Sequence, residues 1–120
     1  MAGDASDEGV VVAQIGDIDD GWGILIDASV TGTVDDIAVF NDRGEYFALD
    51  NSCSHMQGPL SDGYVSDGTV ECPVHQGRFC LRDGSVVSDP PTEPVASHRV
   101  SVDGTDIRVT PNPARLASGI

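Results

Sequence analysis

The chain has 120 residues and a formal net charge of −14, because six cations, all arginine, stand against sixteen aspartates and four glutamates. A chain of this length buries one modest core, which predicts a single small domain. The charge excludes nucleic acid as a partner, since phosphate binding needs a basic patch. It favours basic protein surfaces as partners, with a merely solvated acidic surface as the alternative.

The N-terminus carries no signal for export. Residues 1–8 are acidic and lack the basic and apolar regions of a signal peptide, and no twin-arginine pair is present. No apolar run reaches membrane-spanning length. We therefore expect a cytoplasmic protein without membrane contact, in which residues 1–8 form a disordered acidic tail.

Short β-rich runs separated by turn residues predict an all-β fold of packed antiparallel sheets. In chain order, the runs cover residues 10–15, 23–26, 36–40, 45–49, 78–81, 85–87, 98–102 and 106–110. Hairpin signals stand at Asn41–Gly44, Asp62-Gly63, Asp67-Gly68, Asp83-Gly84 and Asp103-Gly104. The pattern predicts one domain over residues 9–110, followed by a C-terminal tail over 111–120.

The middle of the chain carries two mixed pairs of metal-ligating residues. Cys53 and His55 form the first pair, and Cys72 and His75 form the second. Each pair is too short to close a metal site alone, so we expect two loops that face each other. Two thiolates and two imidazoles are the inventory of a [2Fe–2S] centre in which two His replace two Cys on one iron.

Two other chemistries use the same residue types. A structural zinc site accepts Cys and His, but ordinary zinc modules pair Cys with Cys and His with His. A catalytic Cys–His pair would leave the other pair without a role. A zinc-stabilised interaction module is therefore the alternative from a different class, and it would be colourless where an iron–sulfur protein is coloured.

The segment 51–79 resembles a Rieske cluster-binding segment, and the run Cys72–Phe79 is similar to the second cluster loop of that family. The resemblance implies a Rieske fold, in which antiparallel sheets form a base and a small cluster-binding subdomain is inserted. The cluster loops would lie within residues 51–80. One [2Fe–2S] cluster is implied, with two thiolate and two imidazole ligands: Cys53 and Cys72 on one iron, His55 and His75 on the other.

A proline-containing loop packs beside the cluster loops in this family. Residues 88–94, with Pro90, Pro91 and Pro94, match that loop by position. The alternative is an ordinary rigid connection between strands.

The third cysteine, Cys80, bears on which type of Rieske protein the chain resembles. High-potential Rieske proteins carry a disulfide between the two cluster loops, at positions that match Gly58 and Val74 here, and Cys80 cannot supply that bridge alone. Those relatives also place hydroxyls near the cluster sulfurs, where this chain has Gly77 and Phe79. Hydrogen bonds to sulfur raise the potential, so the resemblance implies the low end of the Rieske range, about −150 mV. We expect Cys80 to be a small strand residue in the core.

With two Cys–His pairs and no cysteines for a disulfide between the cluster loops, the chain is similar to the soluble Rieske-type ferredoxins of bacterial aromatic ring-hydroxylating dioxygenases. The resemblance implies a monomeric one-electron carrier between an NAD(P)H-dependent flavoprotein reductase and a terminal oxygenase, without catalytic residues of its own. Within electron transfer, the alternatives are the Rieske-like small subunit of a nitrite reductase and the donor to another oxygenase.

The sequence also allows expectations for four residues outside the predicted ligand set. His98 has no nearby Cys and is expected to be structural or on the surface. Trp22, flanked by two glycines, favours packing beside a turn. Gln76 and Arg78 border the second pair and are candidates either for partner contact or for solvated loop positions.

Overall fold

The computed structural model describes residues 9–52, 59–73, 77–88 and 94–117. Within these ranges, ten strands carry the fold, and the predicted all-β class is confirmed. The strands are β1 (Val10–Gln14), β2 (Gly23–Ile26), β3 (Ile37–Asp42), β4 (Glu45–Asp50), β5 (Tyr64–Ser66), β6 (Thr69–Glu71), β7 (Arg78–Cys80), β8 (Val86–Ser88), β9 (Ser97–Asp103) and β10 (Asp106–Thr110).

The helices of the described residues are short. One α-helix, α1 (Ala28–Thr31), is accompanied by two 3₁₀ helices, Leu60–Asp62 and Pro113–Arg115. In α1 the Asp27 carboxylate accepts the Ser29 N–H at 2.9 Å. Four residues are too few to show a helical period, which is why the sequence did not predict this turn. Among the residues that the structure describes, no helix is long and apolar enough to cross a membrane.

The strands form two antiparallel sheets. The base sheet has six strands in the order β1-β10-β9-β4-β3-β2, and the inserted sheet has four in the order β5-β6-β7-β8. The inserted sheet lies in the chain between β4 and β9, which are themselves paired through Ala48↔His98 and Leu49↔Ser97. The predicted arrangement of a base with a small inserted subdomain is therefore confirmed.

Two-residue turns close the β3–β4 and β5–β6 hairpins. Arg43 and Gly44 have φ of 54° and 89°, and Asp67 and Gly68 have φ of 53° and 77°. Positive φ at both central residues is the type I′ geometry, whose twist matches that of the flanking strands. The hairpins predicted at these two positions are confirmed, as are those closed by Asp83-Gly84 and Asp103-Gly104.

The hairpin predicted at Asp62-Gly63 is wrong. Asp62 ends the 3₁₀ helix Leu60–Asp62, and Gly63 is extended, with φ −77° and ψ 168°. Glycine is needed there for space, since a Cβ would collide with the carbonyl oxygen of Glu71. An Asp-Gly pair can end a helix as well as turn a hairpin, and packing against β6 decides between them.

Strand β3 is buried on both faces and joins the two parts of the core. Ile37 and Val39 lie in an apolar cluster within the base sheet. Ala38 and Phe40 lie in a second apolar cluster, which also contains Phe79 of the inserted sheet. This alternation is the period of two expected of a strand. The second cluster, called here the shared cluster, attaches the inserted sheet to the base.

The segment predicted as a C-terminal tail contacts the base through residues 111–117. Thr33 and Leu116 form an antiparallel bridge, and the Val34 N–H donates to the Arg115 carbonyl at 2.9 Å. The Arg115 Nε donates to the Asp50 Oδ2 at 2.7 Å. The C-terminal segment is thereby hydrogen-bonded to the last residue of β4, which precedes Cys53 by three positions in the sequence.

Candidate metal centre

Of the four predicted ligands, the structure describes Cys72. This residue follows β6, and its side chain is fully buried in the shared cluster. The other predicted ligands and several residues of the sequence argument lie outside the described residues: Cys53, His55, His75, Gly58, Val74, Gln76, Pro90 and Pro91.

The segment 53–58 leaves and rejoins the described chain at adjacent positions. Ser52 and Pro59 form an isolated antiparallel bridge. The Asn51 carbonyl accepts the Leu60 N–H at 2.7 Å, and the Asn51 Oδ1 accepts the Ser61 N–H at 2.8 Å. The segment that holds Cys53 and His55 therefore has a closed, hydrogen-bonded base.

A carboxylate fixes the first side of that base. Asp35 Oδ2 accepts the Ser52 N–H at 2.9 Å, and Asp35 Oδ1 accepts the Ser52 hydroxyl at 3.1 Å. The carbonyl of Asp36 accepts the Asn51 N–H at 2.8 Å. Consecutive residues before β3 thus hold the two residues that precede Cys53.

A buried polar network lies just before the first segment. The Asp50 Oδ1 is 2.8 Å from the His98 Nε2, and the Asp50 Oδ2 accepts from Arg115. The His98 Nδ1 accepts the Asn112 N–H at 2.9 Å, so the ring proton sits on Nε2 and is donated to the carboxylate. The side chain of His98 is fully buried and that of Asp50 is 7% exposed. A carboxylate this deep is tolerated because two donors satisfy it. The structural role expected of His98 is confirmed.

The segment 74–76 also starts from a closed base. The Cys72 N–H donates to the Gly77 carbonyl at 2.8 Å, across the end of the β6–β7 hairpin. Next to it, Arg78 lies 3.2 Å from Glu71 Oε1 and 3.2 Å from the Thr69 hydroxyl. Arg78 is therefore engaged by its own sheet.

The described residues that flank the segments 53–58 and 74–76 pack in the same apolar cluster. Leu60, two residues after the end of the first segment, and Cys72 both belong to the shared cluster. Gly63 lies close to the Glu71 carbonyl, so the 3₁₀ helix Leu60–Asp62 packs against β6, the strand that Cys72 follows. This contact places the described residues that follow the first segment beside those that precede the second.

The predicted proline loop ends in the same cluster. Val95 is buried there, one residue after Pro94. The Val95 N–H donates to the Gly84 carbonyl at 3.0 Å. Gly84 has φ of 77°, and a Cβ at this position would collide with the Val95 carbonyl oxygen. The end of residues 88–94 is thus fixed beside the β7–β8 hairpin.

Cys80 lies outside this packing. It is half-buried on β7, not fully in the core as the sequence predicted, and it forms no disulfide within the described part of the chain. The N–H of Ser85 donates to the Asp83 carboxylate at 3.0 Å. Donation from the Ser85 backbone, the Ser85 hydroxyl and the Cys80 thiol lowers the pKa of Asp83 below its ordinary 3.8.

Among the predicted ligands, Cys72 is the one whose surroundings the structure describes, and a buried thiol suits an iron–sulfur group. The described residues alone gather no set of three or more metal-ligating side chains. Cys72 supplies a buried sulfur, and the sequence of the segments 53–58 and 74–76 contains one further thiol and two imidazoles. A metal centre that includes Cys72 would therefore need ligands from outside the described residues.

The comparison with protein families settles the class of this domain. Residues 8–99 match the family model of the Rieske [2Fe-2S] domain. The chain belongs to the Rieske family. This membership confirms the predicted family and makes the group expected at the centre a [2Fe–2S] cluster.

Relatives of the Rieske chain carry ferredoxin names. This chain is 37% identical over 99 residues to the 3-phenylpropionate/cinnamic acid dioxygenase ferredoxin subunit of Shigella boydii serotype 4 (strain Sb227). The matched region covers 82% of this chain and 89% of that subunit. The ferredoxin of carbazole 1,9a-dioxygenase from Nocardioides aromaticivorans IC177 superposes with a TM-score of 0.77 at 35% identity, covering 86% of this chain and 97% of that one.

A third comparison involves a complex. A chain from the complex of reduced oxygenase and oxidized ferredoxin in carbazole 1,9a-dioxygenase matches with a TM-score of 0.76 at 25% identity, covering 83% of this chain and 90% of that one. The Rieske fold and the resemblance to dioxygenase ferredoxins, both predicted from the sequence, are confirmed. The first two of these relatives are named as a ferredoxin subunit and as a ferredoxin, and not as catalytic subunits.

Sequence reasoning missed the network of Asp50, His98 and Arg115. Its members lie on β4, β9 and a C-terminal 3₁₀ helix, and 65 residues separate Asp50 from Arg115. No local pattern links positions so far apart. The one available signal was a lone histidine within an otherwise ordinary strand.

Proposed function

We propose that this protein is a soluble one-electron carrier, a Rieske ferredoxin that serves an aromatic ring-hydroxylating dioxygenase. It takes electrons from an NAD(P)H-dependent flavoprotein reductase and passes them to a terminal oxygenase. The observation that carries this proposal is the match of residues 8–99 to the Rieske [2Fe-2S] domain, together with relatives of similar length named as ferredoxins. When bound, the cluster supplies reversible one-electron exchange.

Cys53, His55, Cys72 and His75 are the residues that hold the cluster in this proposal. The burial of Cys72 and the closed bases of the segments 53–58 and 74–76 support the assignment. Cys80 is left out because it lies on β7 with its thiol toward Asp83. The Rieske domain proper would span residues 9–110.

The chain's own residues shape the surroundings of the centre. The shared cluster presents apolar side chains around Cys72, including the fully buried Phe79. Neither Phe79 nor Gly77 offers a hydroxyl to a nearby sulfur. Fewer hydrogen bonds to sulfur favour the oxidised state, so the residues support a potential at the low end of the Rieske range.

The carrier would work as a monomer in the cytoplasm, where a pyridine-nucleotide-dependent reductase finds its substrate. The net charge of −14 supports encounter with basic surfaces on both partners. Ring hydroxylation itself would belong to the oxygenase.

The proposal is tested by counting and transferring electrons. The purified holo-protein is titrated with dithionite under argon, then mixed with the reductase and oxygenase components of the 3-phenylpropionate/cinnamic acid dioxygenase system. We expect one electron per chain, reversibly, and support of substrate-dependent NADH oxidation. A chain that takes up no electron, or that contains zinc in place of iron, would overturn the proposal. Transfer to a nitrite reductase alone would favour that alternative.

A further inference from the structure

A groove of about 460 Å³ opens where three turns of the chain meet. Its walls include two aromatic side chains, Trp22 and Tyr64, and three carboxylates, Asp20, Asp42 and Asp67. These five side chains define what we call the aromatic groove. None of them belongs to the proposed ligand set.

Hydrogen bonds between the turns hold the aromatic groove in shape. Asp20 Oδ1 accepts the backbone N–H of Arg43 at 2.7 Å, which joins the segment before β2 to the β3–β4 turn. Asp42 Oδ2 accepts the backbone N–H of Gly68 at 2.7 Å, which joins that turn to the β5–β6 turn. A surface already ordered loses less conformational entropy on binding.

The two rings of the groove are left open to solvent. Trp22 is 51% exposed and Tyr64 is 55% exposed. Their ring centroids are 6.1 Å apart with an interplanar angle of 80°, an edge-to-face contact. Trp22 thus packs beside a turn, as predicted, but half of its surface stays free. Exposed Trp and Tyr are the residue types that carry most binding energy at protein interfaces.

The charge of the groove selects a cation. Arg43 lies 3.6 Å from Asp42 and 3.7 Å from Asp67. Three carboxylates against this one guanidinium leave a net charge of two negative units in the groove. The face of a Trp or Tyr ring attracts a guanidinium or an ammonium group. Phosphate groups and acidic peptides would be repelled.

The groove lies beside the strand that leads to the metal centre. Tyr64 pairs with Glu71 across β5 and β6, and Glu71 precedes Cys72. A side chain seated against Tyr64 is therefore one strand away from a proposed cluster ligand. Opposed residues in an antiparallel pair have Cα atoms only about 5 Å apart.

We propose that the aromatic groove receives an arginine or lysine side chain from the protein that exchanges electrons with this chain. The inference rests on the proposed function and names the contact by which the partner is held. The aromatic rings contact the stem and the charged head of that side chain, and Asp20 and Asp67 balance its charge.

The cation preference is tested by fluorescence, because Trp22 is the sole tryptophan. The holo-protein is titrated with a short blocked peptide that contains an Arg-Arg pair, and with the same peptide carrying Glu-Glu. We expect a saturable change with the arginine peptide alone. Tyr64→Ala should raise the half-saturating concentration about tenfold and Asp67→Asn about threefold.

Two control variants stand outside the groove. Leu25→Ala removes an apolar side chain that is 52% exposed on β2. Asp103→Asn removes a carboxylate whose side chain is 77% exposed. Both should titrate as the wild type does. If either control variant lost as much affinity as the groove variants, binding would not be specific to the groove, and the proposal would be overturned. For Asp103→Asn, such a loss would indicate general charge attraction.

The partner contact is tested by electron transfer with the same reductase and oxygenase components. Trp22→Ala should raise the carrier concentration at half-maximal rate about tenfold with at least one component. The rate at saturation and the resonance signal of the cluster should be unchanged. Equal behaviour of Trp22→Ala and Leu25→Ala in this assay would overturn the docking site. If the wild type transfers no electrons but still binds the arginine peptide in the groove, the proposed function fails and the cation preference stands.

Discussion

The His98 Nε2 donates to the Asp50 Oδ1 at 2.8 Å, from the strand that follows the inserted sheet to the strand that precedes it. Asp50 stands three residues before Cys53 in the chain. This bond therefore closes the base sheet at the place where the chain leaves it for the inserted sheet. The Arg115 side chain extends the same network to the C-terminal segment.

Removal of the Asp50 charge should destabilise the fold. Asp50→Asn keeps the size of the side chain but leaves Arg115 without its carboxylate and weakens the bond to His98. A hydrogen bond to a buried charged group contributes about 1.5–3 kcal/mol, and we expect a loss of that order. Urea denaturation followed by circular dichroism measures the change.

The matched control is Asp103→Asn, the same substitution at a surface ion pair whose atoms are 4.0 Å apart. We expect its effect to stay within about 0.5 kcal/mol. Equal losses in the two variants would mean that the buried network adds nothing to stability.

Gly63 should tolerate no side chain. Gly63→Ala puts a Cβ against the Glu71 carbonyl and Val70, so β6 has to shift, at a cost of about 1–3 kcal/mol. Because Cys72 directly follows Glu71, the line shape of the cluster resonance should change as well. Gly104→Ala is the control, since its Cβ meets open space. It should lose about 1–2 kcal/mol to its positive φ while the cluster signal stays the same.

The two described cysteines should behave in opposite ways. Cys72→Ser should abolish or strongly reduce iron and sulfide content, because it removes the buried thiol that we propose as a ligand. Cys80→Ser should keep the full content, since its thiol only donates to Asp83. Iron and acid-labile sulfide are counted per chain in both variants. Loss of iron in Cys80→Ser with retention in Cys72→Ser would reverse the ligand assignment.

Asp83 should make stability depend on pH in the acid range. Hydrogen bonds from Ser85 lower its pKa in the folded state, so the unfolded chain takes up a proton first as the pH falls. The stabilisation is therefore complete above the ordinary pKa and is lost as the pH drops through the folded value. Asp83→Asn should be less stable than the wild type near neutral pH, and the difference should shrink toward about pH 2. The difference in stability is measured from the urea midpoints of the wild type and Asp83→Asn near neutral pH and at the acid end. Asp103→Asn is measured in the same way as the control. A difference that does not vary with pH would contradict this account.

Much of the fold could be predicted because short strands and tight turns are local features. The alternation of Ile37 and Val39 with Ala38 and Phe40 marks a strand, and Asp67-Gly68 marks a type I′ turn. Gly63 could not be assigned, because its role depends on the distant carbonyl of Glu71.

Spacing and residue type predict the ligand set, whereas they give no information about the packing around Cys72. Cys72, the predicted ligand that the structure describes, is fully buried in the shared cluster. The aromatic groove depends on the contact of Trp22, just before β2 of the base sheet, with Tyr64 of the inserted sheet. Contacts of this kind arise from the tertiary fold and leave no periodic pattern in the chain.

The central claim is that two thiolates and two imidazoles of this chain hold one [2Fe–2S] cluster that carries single electrons. Low-temperature electron paramagnetic resonance on the purified holo-protein, before and after dithionite, tests it most directly. The account predicts a silent oxidised sample that gains a rhombic signal of low average g on reduction, with two irons and two sulfides per chain. A signal typical of four-thiolate clusters, or a sample that stays silent and contains zinc, would contradict it.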